Sequence, residues 1–471
     1  MPITPFAILL IAIYVYILVV KKNLKLIFRS FVIVLLIVTL NIRMGYFFKI
    51  GDGMMAYRAV ATYITAIISM VLIYNQGKAK KNMLIASMLF IGALGVNYFI
   101  AKFFTYRGPI LIINWADYVL GERSYGYLTG SELEIGIYLV FICNCFILMA
   151  AKKIFNKNDI TYIISRTIDF SLFSILIGYF EWIFTNVFKS TFITDAAILI
   201  FGKQGAQLDL LTQRGFLFTI QGFTKEPSMF ATVIFYLSIL IVVESLLDKS
   251  KNEKRKKWLI SCFVLLAINP TLSSYLYIVI ALIIIFIINP SGIKRLYTFR
   301  SILRTLIICM FSFFLFFFCA SNANVWQTTS SNYLLQRLGN AFVQFNNIMS
   351  ESNLLYSSEA IRLSSIVYDF KMWLERPLFG YGIGSLACIS GIVTFLAGGG
   401  LICLVLYIYV LISFARISKE YIANITIFII GIFIVPSLLQ NEYETIMCMV
   451  IPFASYGYSL SVLDRQKLTN K

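Results

Sequence analysis

The 471-residue chain contains no histidine. That single absence excludes imidazole acid–base catalysis, histidine-ligated metal sites and serine–histidine triads. Charge is scarce as well: Asp, Glu, Lys and Arg together make up 13% of the residues, against about 25% in a soluble domain. Cysteine is present without forming a framework. The eight cysteines fall almost entirely inside apolar runs (Cys143, Cys145, Cys262, Cys309, Cys403, Cys448), with no CxxC or metal-like spacing, and read as small hydrophobes. Acidic residues are outnumbered 22 to 40 by Lys and Arg, for a net charge of +18. The cations sit in short loops between apolar runs, a pattern that sets membrane topology and argues against a nucleic-acid partner.

Hydrophobic residues fill the space left by charge, at 59% of the chain with a mean hydropathy of +0.84. Many windows reach the roughly 20 apolar residues that cross a bilayer. The runs are continuous and do not alternate, which excludes a β-barrel. The fold expected is all-α, a polytopic helical membrane protein forming one integral membrane domain over 1–471. Membrane helices are predicted near 4–20, 26–42, 57–74, 82–101, 132–150, 168–188, 226–247, 258–269, 272–288, 303–320, 391–414, 421–436 and 444–462. These make about thirteen crossings, within a range of roughly 12–14. The short, more polar segment 109–120 is expected at the interface, and Asn269-Pro270 is expected to make a tight hairpin between two helices.

Orientation follows from the loop cations. Lys78 to Lys81, Lys152 to Lys157, Lys249 to Lys257, Lys294 to Arg304, and Arg416 with Lys419 all fall on one side, the cytoplasmic side by the positive-inside rule. Positive charge follows the first apolar run at Lys21 and Lys22, which predicts an uncleaved first helix with its N-terminus outward. Two long segments are then external, 189–225 and 321–390. Within the second, Leu334, Leu335, Leu338, Phe342, Phe345 and Ile348 share one helical face. Further along, Leu363, Ile366, Val367, Phe370 and Leu374 share a face, opposite Arg362, Ser365, Asp369, Met372 and Arg376. Both patterns predict amphipathic helices on the outer surface or roofing a cavity.

The external segments carry cations where the topology bias would not require them: Arg214 and Lys225 in the first, and Arg337, Arg362, Lys371 and Arg376 in the second. Long external loops tolerate charge on their own account, so each residue has a plain structural explanation. Guanidinium groups, however, bind phosphate bidentately and stay charged at any relevant pH, which suits an anionic, lipid-linked ligand. Glu226-Pro227-Ser228 opens the helix expected at 226–247, with Pro at the favoured first position. Glu226 there is either a carboxylate complementing the helix dipole or a weak base beside Arg214 and Lys225. A helix N-terminus also attracts phosphate.

Gly380-Tyr-Gly-Ile-Gly384-Ser385 lacks the Gly-Lys-Ser/Thr ending of a P-loop. Its functional form is a set of backbone N–H groups, including those of Tyr381 and Gly382, turned toward a phosphate. Gly398-Gly-Gly400 reads as a site of close helix packing. Glu181 lies within the 168–188 segment, where a charge at mid-bilayer costs about 2.5–3.5 kcal/mol, so it is expected to face protein or water. Glu442 and Glu444 precede the last helix as further candidate carboxylates.

Two of these stretches resemble a known family. Arg214-x7-Gly222-Phe-Thr-Lys-Glu-Pro-Ser-Met-Phe-Ala is similar to the first signature of bacterial O-antigen and related surface-polysaccharide polymerases (Wzy-type). Arg362-x10-Trp373 with Arg376-Pro-Leu-Phe-Gly-Tyr-Gly-Ile-Gly-Ser385 resembles the second, which these polymerases share with O-antigen ligases. The matched stretches are a small fraction of the chain, and their order and external placement fit the family.

The resemblance implies a GT-C-like, metal-independent glycosyltransferase that needs no cofactor. It would act on undecaprenyl-pyrophosphate-linked oligosaccharides in the bacterial inner membrane, with its site facing the periplasm or exterior and a chain-length regulator as a further protein partner. Arg214 and Arg362 match the family's functional arginines. Lys225, Arg337, Arg376, Tyr381 and Gly382 are then expected to assist binding, with Glu226 as a base. The related ligases use a histidine in the long external loop that this chain lacks, which favours a polymerase over a ligase. A lipid-linked oligosaccharide flippase is the alternative of another class, but flippases are built from pseudo-symmetric halves and none is visible here.

Overall fold

A computed structural model describes residues 3–42, 46–50, 53–77, 80–104, 109–112, 124–127, 135–202, 213–214, 217–224, 226–269, 271–288, 358–383, 390–417, 422–439 and 446–469. The segments predicted at 303–320 and 333–349 lie outside the described residues, as do Glu442 and Glu444. The described chain is dominated by helices: α1 (Pro5–Val20), α2 (Leu24–Asn41), α3 (Tyr57–Gln76), α4 (Lys81–Phe103), α5 (Ile135–Ile154), α6 (Lys157–Asn186), α7 (Phe192–Phe201), α8 (Pro227–Leu247), α9 (Asn252–Ile268), α10 (Leu272–Ile288), α11 (Ser358–Glu375), α12 (Gly391–Ala415), α13 (Ile422–Leu439) and α14 (Ile446–Thr469). Three short antiparallel hairpins punctuate the connections: β1 (Phe48–Ile50) with β2 (Gly53–Met55), β3 (Pro109–Ile112) with β4 (Ser124–Tyr127), and β5 (Gln213–Arg214) with β6 (Leu217–Phe218).

Among the described residues, seven helices are long and apolar enough to cross a membrane: α2, α3 over Tyr57–Asn75, α4, α5, α6, α8 and α12. Five further apolar stretches are shorter. Residues 109–112 of the segment expected at the interface form strand β3, whose Pro-Ile-Leu-Ile run pairs with Ser124–Tyr127. One expectation needs correction. The helix expected from 168 is continuous from Lys157, 30 residues in all, because Asn156 and Asp159 form a capping box that starts it eleven residues earlier.

The chain divides into two units, one of Met1–Gly95, Glu134–Ala281 and Cys403–Lys471, the other of Val96–Leu133 and Leu282–Ile402. In the first unit α8 is the core. It is apolar all round, so it buries on every side, packing on α6, α9 and α14. Peripheral helices bury only one stripe. In α1, Ala7, Leu10, Tyr14 and Ile17 face inward at helical spacing, while Ile8, Tyr16 and Val19 are exposed. Exposed aliphatic residues in such numbers suit lipid as the solvent.

Several charged groups toward the helix ends are paired. Glu244, fully buried near the end of α8, receives Arg255 Nε at 2.5 Å and Nη2 at 3.2 Å. The same Arg255 Nη2 reaches Asp169 at 2.7 Å. Asp159 likewise gathers Lys25 at 2.7 Å and Arg29 at 3.0 Å, tying the start of α2 to that of α6. Lys152 ends α5 by donating to the carbonyls of Phe414 (2.6 Å) and Arg416 (2.8 Å), which satisfies the last turn of α12.

Removing one partner of a buried ion pair leaves an uncompensated charge, at a cost of about 3–5 kcal/mol. Arg255→Ala should therefore lower the thermal unfolding midpoint of the detergent-purified protein markedly, while Arg166→Ala, whose 3.7 Å pair with Asp169 is half exposed, should shift it little. Equal midpoints for wild type and Arg255→Ala would contradict this assignment.

Candidate functional site

The stretch 218–224 is anchored at several points. Gly178 to Asn186 form the last turns of α6, and three polar side chains point from there and from the α9–α10 turn into the backbone of 218–224. Asn186 Oδ1 accepts from Phe218 N at 2.8 Å. Asn269 Oδ1 accepts from Ile220 N at 3.2 Å while its Nδ2 donates to the Pro227 carbonyl at 3.3 Å. Glu181, 1% exposed, accepts from Gln221 N at 3.1 Å on both carboxylate oxygens, from Gly222 N at 2.5 Å, and from Thr194 Oγ1 at 3.4 Å. Thr224 closes the turn, donating from Oγ1 to the carbonyls of Gln221 and Glu226.

Glu181 thus faces protein, as its position demanded, and its partners are amide groups of the signature loop. A carboxylate in an apolar setting is tolerated when several donors converge on it. Gly222 is required at that turn: its φ is +56°, and an added Cβ would stand 2.6 Å from the Phe230 ring. Between α9, which ends at Ile268, and α10, which begins at Leu272, Thr271 N donates to the Asn269 carbonyl at 2.7 Å and Asn269 serves as the loop's second anchor, while Pro270 lies outside the described residues.

The residues singled out in sequence are distributed as follows. Arg214 lies on β5, directly before the anchored stretch, and Lys225 is outside the described residues. Glu226 is the N-cap of α8; its side chain makes no cap bond and instead accepts the Ser228 hydroxyl at 3.2 Å. Its carbonyl takes the N–H groups of Met229 and Phe230 at 3.0 and 3.1 Å, and Pro227 has none to offer. That helix start therefore offers fewer amides to a phosphate than the sequence pattern implied, and attraction for an anion there rests chiefly on side-chain cations.

In the second unit, Arg362 lies on α11, Arg337 is outside the described residues, and Arg376 follows the end of α11. Arg376 Nη1 donates to the Phe104 carbonyl at 2.8 Å, and its guanidinium lies 4.9 Å from the centroid of the Tyr381 ring. The α11 helix forms as expected, but Asp369 and Met372 from its more polar side are buried, with Met372 packing on Tyr381 and Ala397, whereas Phe370 and Leu374 are exposed. Lys371 and Glu375 are exposed beside Phe370 and Leu374, so the outward side of α11 is mixed.

The glycine stretch is also used differently from a phosphate cradle. Helix α12 is broken at Gly400, where φ is +72° and a Cβ would sit 2.2 Å from the Leu378 carbonyl oxygen. The segment 377–383 fills that break. Tyr381 N and Gly382 N donate to the Ala397 and Gly398 carbonyls at 2.9 and 2.7 Å, and Leu401 N and Ile402 N donate back to Pro377 and Leu378 at 2.8 and 3.2 Å. Asn97 on α4 completes the patch, donating to the carbonyls of Phe379 (2.5 Å) and Gly398 (2.9 Å) and accepting from Ile383 N at 3.3 Å. The backbone amides of Tyr381 and Gly382 are thus engaged within the protein, and the Tyr381 hydroxyl donates to Glu375 at 3.1 Å. Gly398 and Gly400 therefore serve to admit this segment to the break in their own helix.

Among the described residues, no three acidic or thiol side chains gather closely enough to hold a metal ion. Sequence reasoning missed the two asparagines, Asn186 and Asn97. Asn97 sits between one and two turns inside the end of α4 and Asn186 is the last residue of α6; a polar residue so placed in or at the end of an apolar helix is the signal that marks a structural partner.

Glu181→Ala would leave two buried amides without an acceptor, at about 1–3 kcal/mol each. The expected result is a less stable protein with faster protease cleavage between Phe218 and Ser228, and Glu181→Gln, which keeps one acceptor oxygen, should fall between. Wild-type cleavage rates in both variants would refute the anchoring role.

Compared with known proteins, the chain matches no family model and no curated protein.

Proposed function

We propose that the protein is a polymerase of lipid-linked oligosaccharides, joining undecaprenyl-pyrophosphate-linked repeat units at the outer face of a bacterial inner membrane. The observation that carries this reading is the anchored loop at 218–224: a helical membrane protein devotes a buried carboxylate and two asparagines to holding the segment that follows Arg214 and leads into Glu226. Such preorganisation suits a site whose work is to present fixed charge. The resemblance of Arg214–Ala231 and Arg362–Ser385 to the polymerase signatures supports the same reading.

The chemistry is a displacement at an anomeric carbon. A hydroxyl of the acceptor repeat unit attacks, the bond from the anomeric carbon to the phosphate oxygen breaks, and the hydroxyl proton is lost to Glu226 or to water. Undecaprenyl pyrophosphate leaves as an anion. Arg214 and Arg362 are assigned to the developing negative charge of that leaving group, with Lys225, Arg337 and Arg376 assisting. Because pyrophosphate is a good leaving group, a weak carboxylate base is sufficient. Tyr381 and Gly382 are assigned a supporting part, since they shape the segment next to Arg376 and their amides bond within the protein.

The test uses purified protein and lipid-linked repeat units alone. Polymer formed without a lipid A acceptor supports the polymerase; glycan transferred only when lipid A-core is supplied identifies a ligase; translocation without bond formation identifies a flippase. Arg214→Ala and Arg362→Ala should each insert normally yet slow chain growth about a hundredfold or more, the scale for loss of one charge-stabilising donor. Wild-type product ladders from both variants would remove these arginines from the site.

A further inference from the structure

At the opposite, cation-rich end of the first unit lies an open cleft of about 480 Å³ between the beginning of α6 and the end of α8. By the positive-inside rule this is the cytoplasmic end. Lys157, Arg166 and Lys251 line it together with the carboxylates of Asp169 and Asp248. Both carboxylates have neighbours: Asp169 has Arg255 at 2.7 Å and, more loosely, Arg166 at 3.7 Å, and Asp248 accepts from the Ser250 hydroxyl at 2.6 Å and amide at 3.1 Å, with Lys157 and Lys251 close enough to favour its charged form. Lys251 is held in the wall by Glu244 at 3.1 Å and Ser165 Oγ at 2.6 Å.

The balance around the cleft favours an anion. Lys25, Arg29, Lys157, Arg166, Lys251 and Arg255 are set against Asp159, Asp169, Asp248 and Glu244, which leaves cations in excess. Tyr162 in the wall carries two guanidinium groups near its ring, Arg29 at 4.3 Å and Arg166 at 5.3 Å from the centroid. The Thr161 hydroxyl, also in the wall, is shut from solvent and has no hydrogen-bond partner.

The face of α6 that leads away from the cleft tells which anion. Tyr162, Arg166, Asp169 and Phe173 recur at three- and four-residue spacing and so follow one another along the helix. Phe170 and Phe173, 61% and 54% exposed, continue that path as apolar surface. A cationic cleft that runs into exposed aromatic surface matches an amphiphile with a phosphate head and acyl chains.

We propose that this cleft is a binding site for the phosphate headgroup of an anionic phospholipid from the cytoplasmic leaflet, with Lys157 and Arg166 contacting the phosphate and Phe170 and Phe173 the acyl chains. The site is separate from the proposed polymerisation site, and its test does not depend on that activity.

The full-length protein, reconstituted in phosphatidylcholine nanodiscs doped with phosphatidylglycerol, is released and examined by native mass spectrometry. Wild type should retain phosphatidylglycerol in preference to phosphatidylcholine. Lys157→Gln with Arg166→Gln should reduce that retention roughly tenfold, whereas Lys80→Gln with Lys81→Gln, which removes as much charge elsewhere, should leave it unchanged. Equal loss in both double variants, or none in the first, overturns the proposal. Displacement of the lipid by millimolar inorganic phosphate, with no lipid retained, would overturn the lipid assignment in favour of a soluble phosphate. Unaltered protein exposed to a headgroup-photoreactive phosphatidylglycerol should crosslink within 157–173, and crosslinks confined to other segments would refute the site independently of any variant's folding.

Discussion

The Glu181 carboxylate, buried near the end of α6, is the interaction on which the site's architecture depends, because it can exist in an apolar layer only if donors are brought to it. The donors come from Gln221, Gly222 and Thr194. In meeting that demand the chain folds a non-helical loop back onto the last turns of α6. The carboxylate and the loop amides are each costly when unpartnered, so neither is stable without the other. The Glu226 cap and the start of α8 are then held by Thr224, on the Glu226 carbonyl, and by Asn269, on that of Pro227.

The same constraint operates wherever the backbone leaves the helical path. At Gly400 the break in α12 frees carbonyls and amides that water would satisfy in a soluble protein; here the 377–383 segment and Asn97 supply the complement. At the cation-rich end, the buried carboxylate Glu244 is met by a network of Arg255, Lys251 and Asp169. In both units, then, non-helical backbone and buried charge are met by named polar partners at these points.

The presence and type of most helices were legible because continuous apolar runs leave little room for any other reading. Their ends were less so. The start of α6 was set by a capping box hidden in a run of loop cations, and 109–112 became a strand through pairing with Ser124–Tyr127, a partner that local pattern does not reveal. Glu181 was visible as a charge out of place, but the identity of its donors, roughly forty residues away in sequence, was not. For the glycine stretch, residue type indicated an unusual backbone without indicating which carbonyls would take its amides.

Composition and hydropathy by themselves determined that this is a helical chain suited to a membrane, that histidine chemistry is excluded, and that cations gather at one set of turns. Those properties are sums over residues and need no fold. Tertiary structure alone decided which amides serve Glu181, which carbonyls serve Tyr381 and Gly382, and that Lys157, Arg166 and Lys251 share a cleft. Each of these is a distance between groups far apart in sequence. Hydrogen bonds and ion pairs act over a few ångströms, so only the folded chain could choose among the partners that the sequence made available.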